Sequence, residues 1–176
     1  MTIDCGACVL RPFQPSDAPS IAELANDRDI WINLRDRFPH PYHLEHAEHY
    51  IAECAKKDPP TNLAICVDDR AVGSIGVILG TDIERVSAEM GYWLGKPYWG
   101  RGIATAALKA ATTYAVDNFG LTRVFASVFA YNPASSRILE KAGYVLEAHQ
   151  RQAAIKDGAV HDQYLYAWYP DLQRSR

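Results

Sequence analysis

The fold is decided by a strand-like stretch and the turn that follows it, Glu89-Met90-Gly91-Tyr92-Trp93-Leu94 and Tyr98-Trp99-Gly100-Arg101-Gly102-Ile103-Ala104. The first stretch completes a mostly apolar segment, residues 86–94, which predicts a strand. The second opens an alanine-rich run over residues 102–118, whose apolar side chains recur at helical spacing and which ends before Gly120. A strand therefore leads through a glycine-containing turn into a long helix.

The start of this predicted helix is a candidate phosphate-binding site. The first N–H groups of a helix have no partner within it, and the helix dipole adds partial positive charge there. Because Gly100 and Gly102 carry no Cβ, an anion could approach the main chain closely. The turn is therefore of the kind that binds phosphate.

Three kinds of phosphate-binding loop can be compared with this turn. A Rossmann loop needs a third glycine where Thr105 stands, and a P-loop needs a Gly-Lys-Ser/Thr string that the chain lacks. An acyl-CoA pyrophosphate loop remains, and so does a plain turn, because glycine is also used at helix ends without binding anything. The spacing alone leaves these two interpretations open.

The remaining pattern predicts a mixed α/β fold. Helices are predicted at residues 16–27, 44–57, 102–118 and 133–142, and strands at 8–13, 62–67, 72–79, 86–94, 124–129, 145–153 and 159–168. Residues 29–42 are irregular and rich in aromatic side chains. No linker or repeat divides the chain, so we expect one domain over residues 1–176, with helices on the faces of its sheet.

The composition excludes several classes of protein. The chain has 176 residues and a formal net charge of −3, from 18 Lys and Arg against 21 Asp and Glu. Because no basic stripe is present, we expect no nucleic-acid partner. No apolar run approaches the ~20 residues of a membrane span, and the first residues lack the features of a signal peptide. We therefore expect a cytoplasmic protein with no membrane partner.

Neither the cysteines nor the histidines form a pattern typical of a metal site. Cys5 and Cys8 have Cys-x-x-Cys spacing, but a zinc site would need a second close pair, so we expect reduced thiols. Histidines recur every third residue, at His40, His43, His46 and His49. Such steps drift around a helix, so these four rings cannot converge on one ion. We predict no metal.

The order of several short motifs resembles the GCN5-related N-acetyltransferase (GNAT) family, in particular the branch that acetylates N-terminal amines of ribosomal proteins. The motifs are Leu10-Arg11-Pro12 with Asp17, Pro39-His40-Pro41-Tyr42, Gly91-Tyr92-Trp93-Leu94, Gly100 to Ala104, Asn132-Pro133-Ala134-Ser135, Leu139-Glu140-Lys141-Ala142-Gly143-Tyr144, and Asp162 before Tyr164-Leu165-Tyr166-Ala167. The resemblance covers nearly the whole chain. It implies the GNAT fold, a mostly antiparallel twisted sheet of about six or seven strands flanked by about four helices.

The resemblance implies acetyl-CoA as the cofactor. The main chain of the turn would hold its pyrophosphate, at Trp99, Gly100, Arg101, Gly102, Ile103 and Ala104. Trp99 stands where the family has Gln or Arg, and Arg101 would add a charge-assisted contact. The strand would bind the pantetheine arm through Tyr92, Trp93 and Leu94. Its N–H groups near Trp93 and Leu94 would donate to the thioester oxygen.

Three of these residues have a structural interpretation beside the functional one. Asn132 would bind the cofactor arm from the opposite wall, or it only caps the helix that begins at Pro133. The rings of Tyr92 and Trp93 would line the site or belong to the core.

Glu89 is the first candidate for the base that takes the proton of the attacking amine, directly or through water. It lies two residues before Gly91 on the predicted central strand, where an unpaired carboxylate would be costly unless it is functional. The structural alternative is a salt bridge to Arg85 or Arg101. Some ribosomal-branch members carry a Glu on the penultimate strand, but this chain has Ala154 there, which makes Glu89 more necessary.

The group that protonates the departing CoA thiolate is less obvious. Many relatives place a Tyr seven residues after the motif Asn, and this chain has Leu139 there. The resemblance suggests Ser135 as its substitute, with Tyr144 as a second candidate. A thiolate with a pKa near 8.5 leaves readily, so a weak acid would suffice.

The irregular residues 29–42 flank the acceptor groove in relatives. The aromatic side chains of Trp31, Phe38 and Tyr42, with Asp29 and Asp36, suit a cationic small-molecule amine or a protein N-terminus. A solvated loop over a small core is an equally consistent interpretation. Dimers are frequent among relatives, which allows a homodimer. The alternative to an N-acetyltransferase is a non-catalytic acyl-CoA-binding or sensing domain that kept the loop and lost the chemistry.

Overall fold

Eight strands form one mixed sheet in the computed structural model, which describes residues 1–171. They are β1 Ile3–Asp4, β2 Val9–Arg11, β3 Asn62–Val67, β4 Arg70–Leu79, β5 Ser87–Leu94, β6 Arg123–Phe129, β7 Val145–Lys156 and β8 Ala159–Trp168. Their spatial order is β1-β2-β3-β4-β5-β6-β8-β7. Neighbours are antiparallel except β5 and β6, which run parallel.

Five α-helices accompany this sheet in the described chain, α1 Ala18–Ala25, α2 Arg28–Trp31, α3 Leu44–Cys54, α4 Ile103–Phe119 and α5 Pro133–Lys141. Leu108 of α4 and Leu139 of α5 belong to a buried cluster on one face of the sheet. Ile21 of α1 and Ile51 of α3 belong to a second cluster on the opposite face. The predicted mixed α/β class with a mostly antiparallel sheet is confirmed, with one more strand and one more helix than expected.

The two unpredicted elements are short. β1 has two residues and α2 has four, so neither can show a periodic apolar pattern. β1 pairs with β2, which is shorter than the predicted strand 8–13, and the side chain of Asp27 accepts the N–H of Asp29 to begin α2. The predicted helix 16–27 is divided into a 3-10 turn, Pro15–Asp17, and α1. The expected single domain includes residues 172–176, which lie outside the described residues.

An ion pair next to β2 explains one of the early motifs. The guanidinium of Arg11 donates to both carboxylate oxygens of Asp17, at 2.7 and 2.8 Å, and the N–H of Gln14 donates to the same carboxylate at 2.8 Å. Asp17 is 6% exposed. Burial opposes ionisation of this carboxyl, but the hydrogen bonds from Arg11 and Gln14 outweigh it and hold the pKa of Asp17 below its usual value.

β5 and β6 separate partway along their length. They are paired only from Ser87 to Glu89 on β5 and from Arg123 to Phe125 on β6. Residues 90–94 of β5 and 126–129 of β6 continue without pairing to each other. We call the space between these two unpaired stretches the β5–β6 gap. Glu89 lies at its closed end, and the loop that begins α4 follows its open end.

Candidate active site

Alternate residues of β5 turn their main-chain groups into the β5–β6 gap. The N–H of Gly80 donates to Ser87 O (2.9 Å), and the N–H of Gly95 donates to Val72 O (2.8 Å). The register between these points is uninterrupted. The main-chain N–H and C=O groups of odd-numbered residues of β5 therefore form hydrogen bonds with β4, and those of even-numbered residues point the other way. The main-chain groups that face the gap are those of Met90, Tyr92 and Leu94.

This register corrects one expected donor to the thioester oxygen. Trp93 lies opposite Ser74 and belongs to the odd-numbered set, so its N–H is turned toward β4 and away from the gap. Leu94 directs its N–H into the gap as expected. Its carbonyl oxygen accepts the indole Nε1–H of Trp99 at 2.7 Å. The Trp99 side chain therefore takes up one hydrogen-bond acceptor, Leu94 O, on the edge of β5 that faces the gap.

The loop before α4 has the conformation that an anion site needs. Gly100 and Gly102 have φ of +74° and +76°, and a Cβ on either would meet no atom within 4 Å. Within residues 1–171, no protein carbonyl accepts the N–H of residues 100, 101 or 102. A cavity of ≈ 580 Å³ adjoins Gly102 and is lined in part by Lys109 and Lys141. Open space, free N–H groups and positive charge therefore meet at the start of α4.

Other predicted residues of this loop have different surroundings. Ile103 is 2% exposed, so its side chain belongs to the core and only its N–H is available at the helix start. The Arg101 guanidinium lies 5.5 Å from the centre of the Tyr98 ring. The Arg101 side chain is exposed, so a phosphate in solution could contact it.

The opposite face of β5 forms an open shelf. Ala88, Met90 and Leu94 join the buried cluster beneath α4 and α5, so Glu89, Gly91 and Trp93 point to the face that carries α1 and α3. A Cβ at Gly91 would meet nothing within 4 Å. Space is therefore open between the Glu89 carboxylate and the Trp93 ring.

Glu89 has a partner that is not among the predicted alternatives. Its carboxylate accepts a hydrogen bond from the guanidinium of Arg35, and the exposed fractions of the two side chains are 21% and 61%. The predicted alternatives, Arg85 and Arg101, are placed elsewhere: Arg85 donates to Asp82 O, and Arg101 lies beside Tyr98. The structural salt bridge therefore exists, but its partner comes from residues 29–42.

Two of the three predicted acceptor aromatics pack between that segment and the sheet. Tyr42 is only 6% exposed and belongs to the core beneath α1 and α3, and this burial raises its pKa to about 12. Its side chain is therefore a packing element and does not line an open groove. Phe38 is half-buried, with its ring 4.9 Å from Tyr42 and 5.8 Å, edge-on, from Trp93. Phe38 thus borders the shelf.

Trp31 is held by a buried lysine. The Nζ of Lys156 lies 3.8 Å from the centre of the Trp31 ring and donates to Asp36 Oδ1 at 2.9 Å. Lys156 is 2% exposed, at the end of β7. Nearby, the hydroxyl of Tyr131 donates to Ile32 O (2.6 Å). These contacts fasten residues 29–42 to the end of β7 and to the turn between β6 and α5.

The start of α5 lies across from the edge of β5. Asn132 accepts the N–H of Ser135 through its side chain (3.2 Å), so the helix-cap interpretation of Asn132 is confirmed. Ser135 is half-buried, and its Oγ shares a hydrogen bond with the hydroxyl of Tyr92 at 2.8 Å. The Tyr92 ring packs against the core beneath α4 and α5. The structure therefore joins Tyr92 and Ser135, which were predicted in separate roles.

Comparison with known families identifies the family to which this chain belongs. The profile of a family described as an acetyltransferase (GNAT) domain matches residues 8–145. The chain belongs to the GNAT acetyltransferase family. This confirms the resemblance found from the motifs.

Individual relatives of this GNAT chain include ribosomal-protein acetyltransferases. It is 33% identical over 94 residues to a putative ribosomal N-acetyltransferase, YdaF, of Bacillus subtilis, covering 52% of this chain and 51% of that protein. It is 35% identical over 101 residues to a ribosomal-protein-serine acetyltransferase of Escherichia coli, covering 56% of each. The chain thus spans about half the length of these curated relatives.

A solved structure shows the same fold over nearly the whole GNAT chain. Mycobacterium smegmatis RimJ, in complex with CoA-disulfide, superposes with a TM-score of 0.81 and 24% sequence identity, over 94% of this chain and 83% of that one. At this level of identity the likeness establishes the fold.

Sequence reasoning missed three residues that fasten residues 29–42 to the rest of this GNAT chain. Arg35, Tyr131 and Lys156 each contact a residue more than 50 positions away. The sequence carried no local signal for the first two. For Lys156, the strand was predicted to end at residue 153, which left the lysine in the turn rather than on β7.

Two features of the described residues concern metals and membranes. Among the described residues, no group of three or more His, Cys, Asp or Glu side chains is arranged to hold a metal ion. No helix in residues 1–171 is long and apolar enough to cross a membrane.

Proposed function

We propose that this GNAT chain transfers the acetyl group of acetyl-CoA to a primary amine, either the N-terminal α-amine of a protein or a small-molecule amine. One observation carries the proposal: two sets of main-chain groups flank the same gap. One is the unpaired edge of β5, and the other is the open N–H groups at the start of α4.

The two sets fit the two parts of acetyl-CoA. Free N–H groups at a helix start, with glycines that leave room for an anion, suit a pyrophosphate. Lys109 and Lys141 line the adjoining cavity and suit further phosphate charge. The edge of β5 suits an arm that contains amides, which would pair with Tyr92 as an added strand does. Acetyl-CoA supplies the activated acetyl group as a thioester.

Glu89 is proposed to take the proton of the acceptor amine, directly or through water. It lies at the closed end of the gap, half-buried, on the same face as the shelf formed at Gly91. The N–H of Leu94 is proposed to stabilise negative charge on the thioester oxygen, because it is turned into the gap and its position is fixed by the strand.

The acceptor is proposed to enter beside Trp31 and Phe38 of residues 29–42. An α-amine has a pKa of about 7.7–8.0, whereas that of an alkyl amine is about 10.4. The α-amine therefore loses its proton at lower cost near neutral pH. This difference and the ribosomal-protein acetyltransferases among the relatives together favour a protein N-terminus.

The test separates binding from turnover. Calorimetry with acetyl-CoA measures binding, and release of free CoA thiol is followed with a panel of N-terminal peptides and small amines. We expect binding without acceptor and thiol release only with one. Binding without release across the panel would identify a non-catalytic acyl-CoA sensor, and absence of binding would contradict the proposal altogether.

A further inference from the structure

The hydrogen bond between Tyr92 and Ser135 links the two sides of the β5–β6 gap. Tyr92 turns its main chain into the gap, while its hydroxyl reaches α5 and lies 2.8 Å from Ser135 Oγ and 3.5 Å from Ser135 O, so Oγ is the nearer acceptor. Ser135 stands in the first turn of α5, where its N–H is already bonded to the Asn132 side chain. Its hydroxyl is bonded to Tyr92, whose main chain faces the gap.

Other candidates for a proton donor near the gap are already engaged. Thr112 donates its only hydroxyl proton to Leu108 O (2.7 Å), so in its 2.7 Å hydrogen bond with Tyr144 the tyrosine must be the donor. The Tyr144 proton is thus committed to the core, where the residue is 3% exposed. Leu139, at the position where relatives carry a Tyr, is fully buried.

The Tyr92 hydroxyl is suited to donate. Burial raises the pKa of Tyr92 to about 12, and the hydrogen bond with Ser135 opposes this shift only in part. Tyr92 therefore keeps its proton across the neutral range. If Tyr92 donates to Ser135 Oγ, the serine proton is free to point elsewhere, because a hydroxyl can accept and donate at once.

We propose that Tyr92 is a positioning residue for Ser135: its hydroxyl donates to Ser135 Oγ and so directs the serine O–H toward the sulfur of the departing CoA thiolate. The inference rests on the proposed function. As the amine nitrogen bonds to the acetyl carbon, the carbon–sulfur bond breaks and its electron pair stays on sulfur. Ser135 keeps its proton and donates a hydrogen bond to that sulfur. The amine proton leaves through Glu89, and the thiolate takes its proton from water.

The test compares Tyr92→Phe with Ser135→Ala and with the double variant. Tyr92→Phe keeps the ring and removes only the hydroxyl. We expect each single variant to lower kcat on the order of tenfold, because a hydrogen bond to a charged group is lost or misdirected. The KM and calorimetric Kd for acetyl-CoA should not change. The double variant should be no slower than Ser135→Ala, because Tyr92 acts only through the serine.

A matched control removes a different buried tyrosine hydroxyl. Tyr166→Phe loses the hydrogen bond to Glu140 (2.9 Å) at a residue that is 4% exposed, and it should lower stability without changing kcat. Two outcomes overturn the inference. The first is a folded Tyr92→Phe variant with wild-type kcat. The second is a Tyr92→Phe substitution that lowers kcat by the same factor in the wild type and in the Ser135→Ala variant. Should Tyr92→Phe not fold, a wild-type kcat in Ser135→Ala overturns it equally. A wild-type chain that binds acetyl-CoA but releases no thiol shows instead that the proposed function has failed.

Discussion

Arg35 forms an ion pair with Glu89 at the last residue that joins β5 to β6. The arginine comes from residues 29–42, which the sequence resemblance places beside the acceptor. The carboxylate lies on the shelf at Gly91, and the arginine is mostly exposed to solvent. An amine that approaches Glu89 must therefore share the carboxylate with Arg35 or displace it.

Glu89→Gln should lower kcat by about 10²–10⁴-fold at neutral pH, since it removes the proposed base while keeping the side-chain shape. The affinity for acetyl-CoA should not change, because the carboxylate lies on the opposite face from the α4 loop. Thiol release and calorimetry measure the two quantities. Glu48→Gln, on the exposed face of α3, is the control. Full turnover in the Glu89 variant would show that another group takes the proton.

Arg35→Gln should lower the KM for a cationic acceptor, because the acceptor amine no longer competes with a guanidinium for Glu89. Stability should change by no more than about 1 kcal/mol, as an exposed partner contributes little. Initial rates at varied acceptor concentration, with acetyl-CoA saturating, provide the measurement. An unchanged or higher KM would mean that Arg35 orients the carboxylate and does not compete with the acceptor.

Gly102→Asp should abolish acetyl-CoA binding, because a negative side chain would enter the space next to the free N–H groups. Gly158→Asp is a matched control: its φ is +78° against +76° for Gly102, and open space surrounds both positions. Each substitution should cost about 1 kcal/mol of folding stability for the left-handed backbone. Only the first should lose binding in calorimetry; equal affinities would rule out a pyrophosphate site at this loop.

Asp17→Asn should destabilise the fold by about 2–3 kcal/mol, because it leaves the Arg11 guanidinium with a weaker, uncharged partner. Glu23→Gln, which weakens the exposed Arg70–Glu23 pair, should cost under about 1 kcal/mol. Thermal unfolding of the variants and the wild type measures both effects. Equal losses of stability would show that burial does not strengthen the Arg11–Asp17 pair.

The same pair predicts a pH dependence. The pKa of Asp17 is lowered in the folded chain, so the pair stabilises the fold at pH values above the ordinary aspartate pKa of about 3.9. This stabilisation is lost as the pH falls below that value and through the folded pKa. The difference in Tm between wild type and Asp17→Asn should be constant near neutral pH and should shrink in acid. A difference that grows in acid would contradict this sign.

Lys156→Met should raise the KM for the acceptor and leave acetyl-CoA affinity unchanged, because Lys156 holds Trp31 and Asp36 of residues 29–42. The loss of its cation–π contact and ion pair should also lower stability by about 2 kcal/mol. Lys56→Met, at an exposed pair with Glu53, is the control for charge removal. Steady-state kinetics measure the KM, and thermal unfolding measures the stability. An unchanged acceptor KM in Lys156→Met would show that the contacts of Lys156 with Trp31 and Asp36 do not shape the acceptor site.

Local patterns were sufficient for most of the secondary structure. The strand at Asn62–Val67 has the predicted bounds, and the helix that begins after Gly102 ends at the predicted glycine, Gly120. Propensity and apolar periodicity act between residues a few positions apart, so the sequence displays them directly. Elements of two to four residues, β1 and α2, contain too few positions to show a period.

Sequence patterns alone were enough to identify the family, the order of every strand and helix except β1 and α2, and the glycine-containing loop at the start of α4. Each depends on neighbouring residues or on short motifs in a fixed order. The partner of each candidate site residue became visible in the folded chain: Arg35 for Glu89, Ser135 for Tyr92 and Lys156 for Trp31. These partners are far apart in the chain and meet only because strand register turns alternate residues to opposite faces and into the gap. The register is set by the pairing of whole strands, so no single motif could display it.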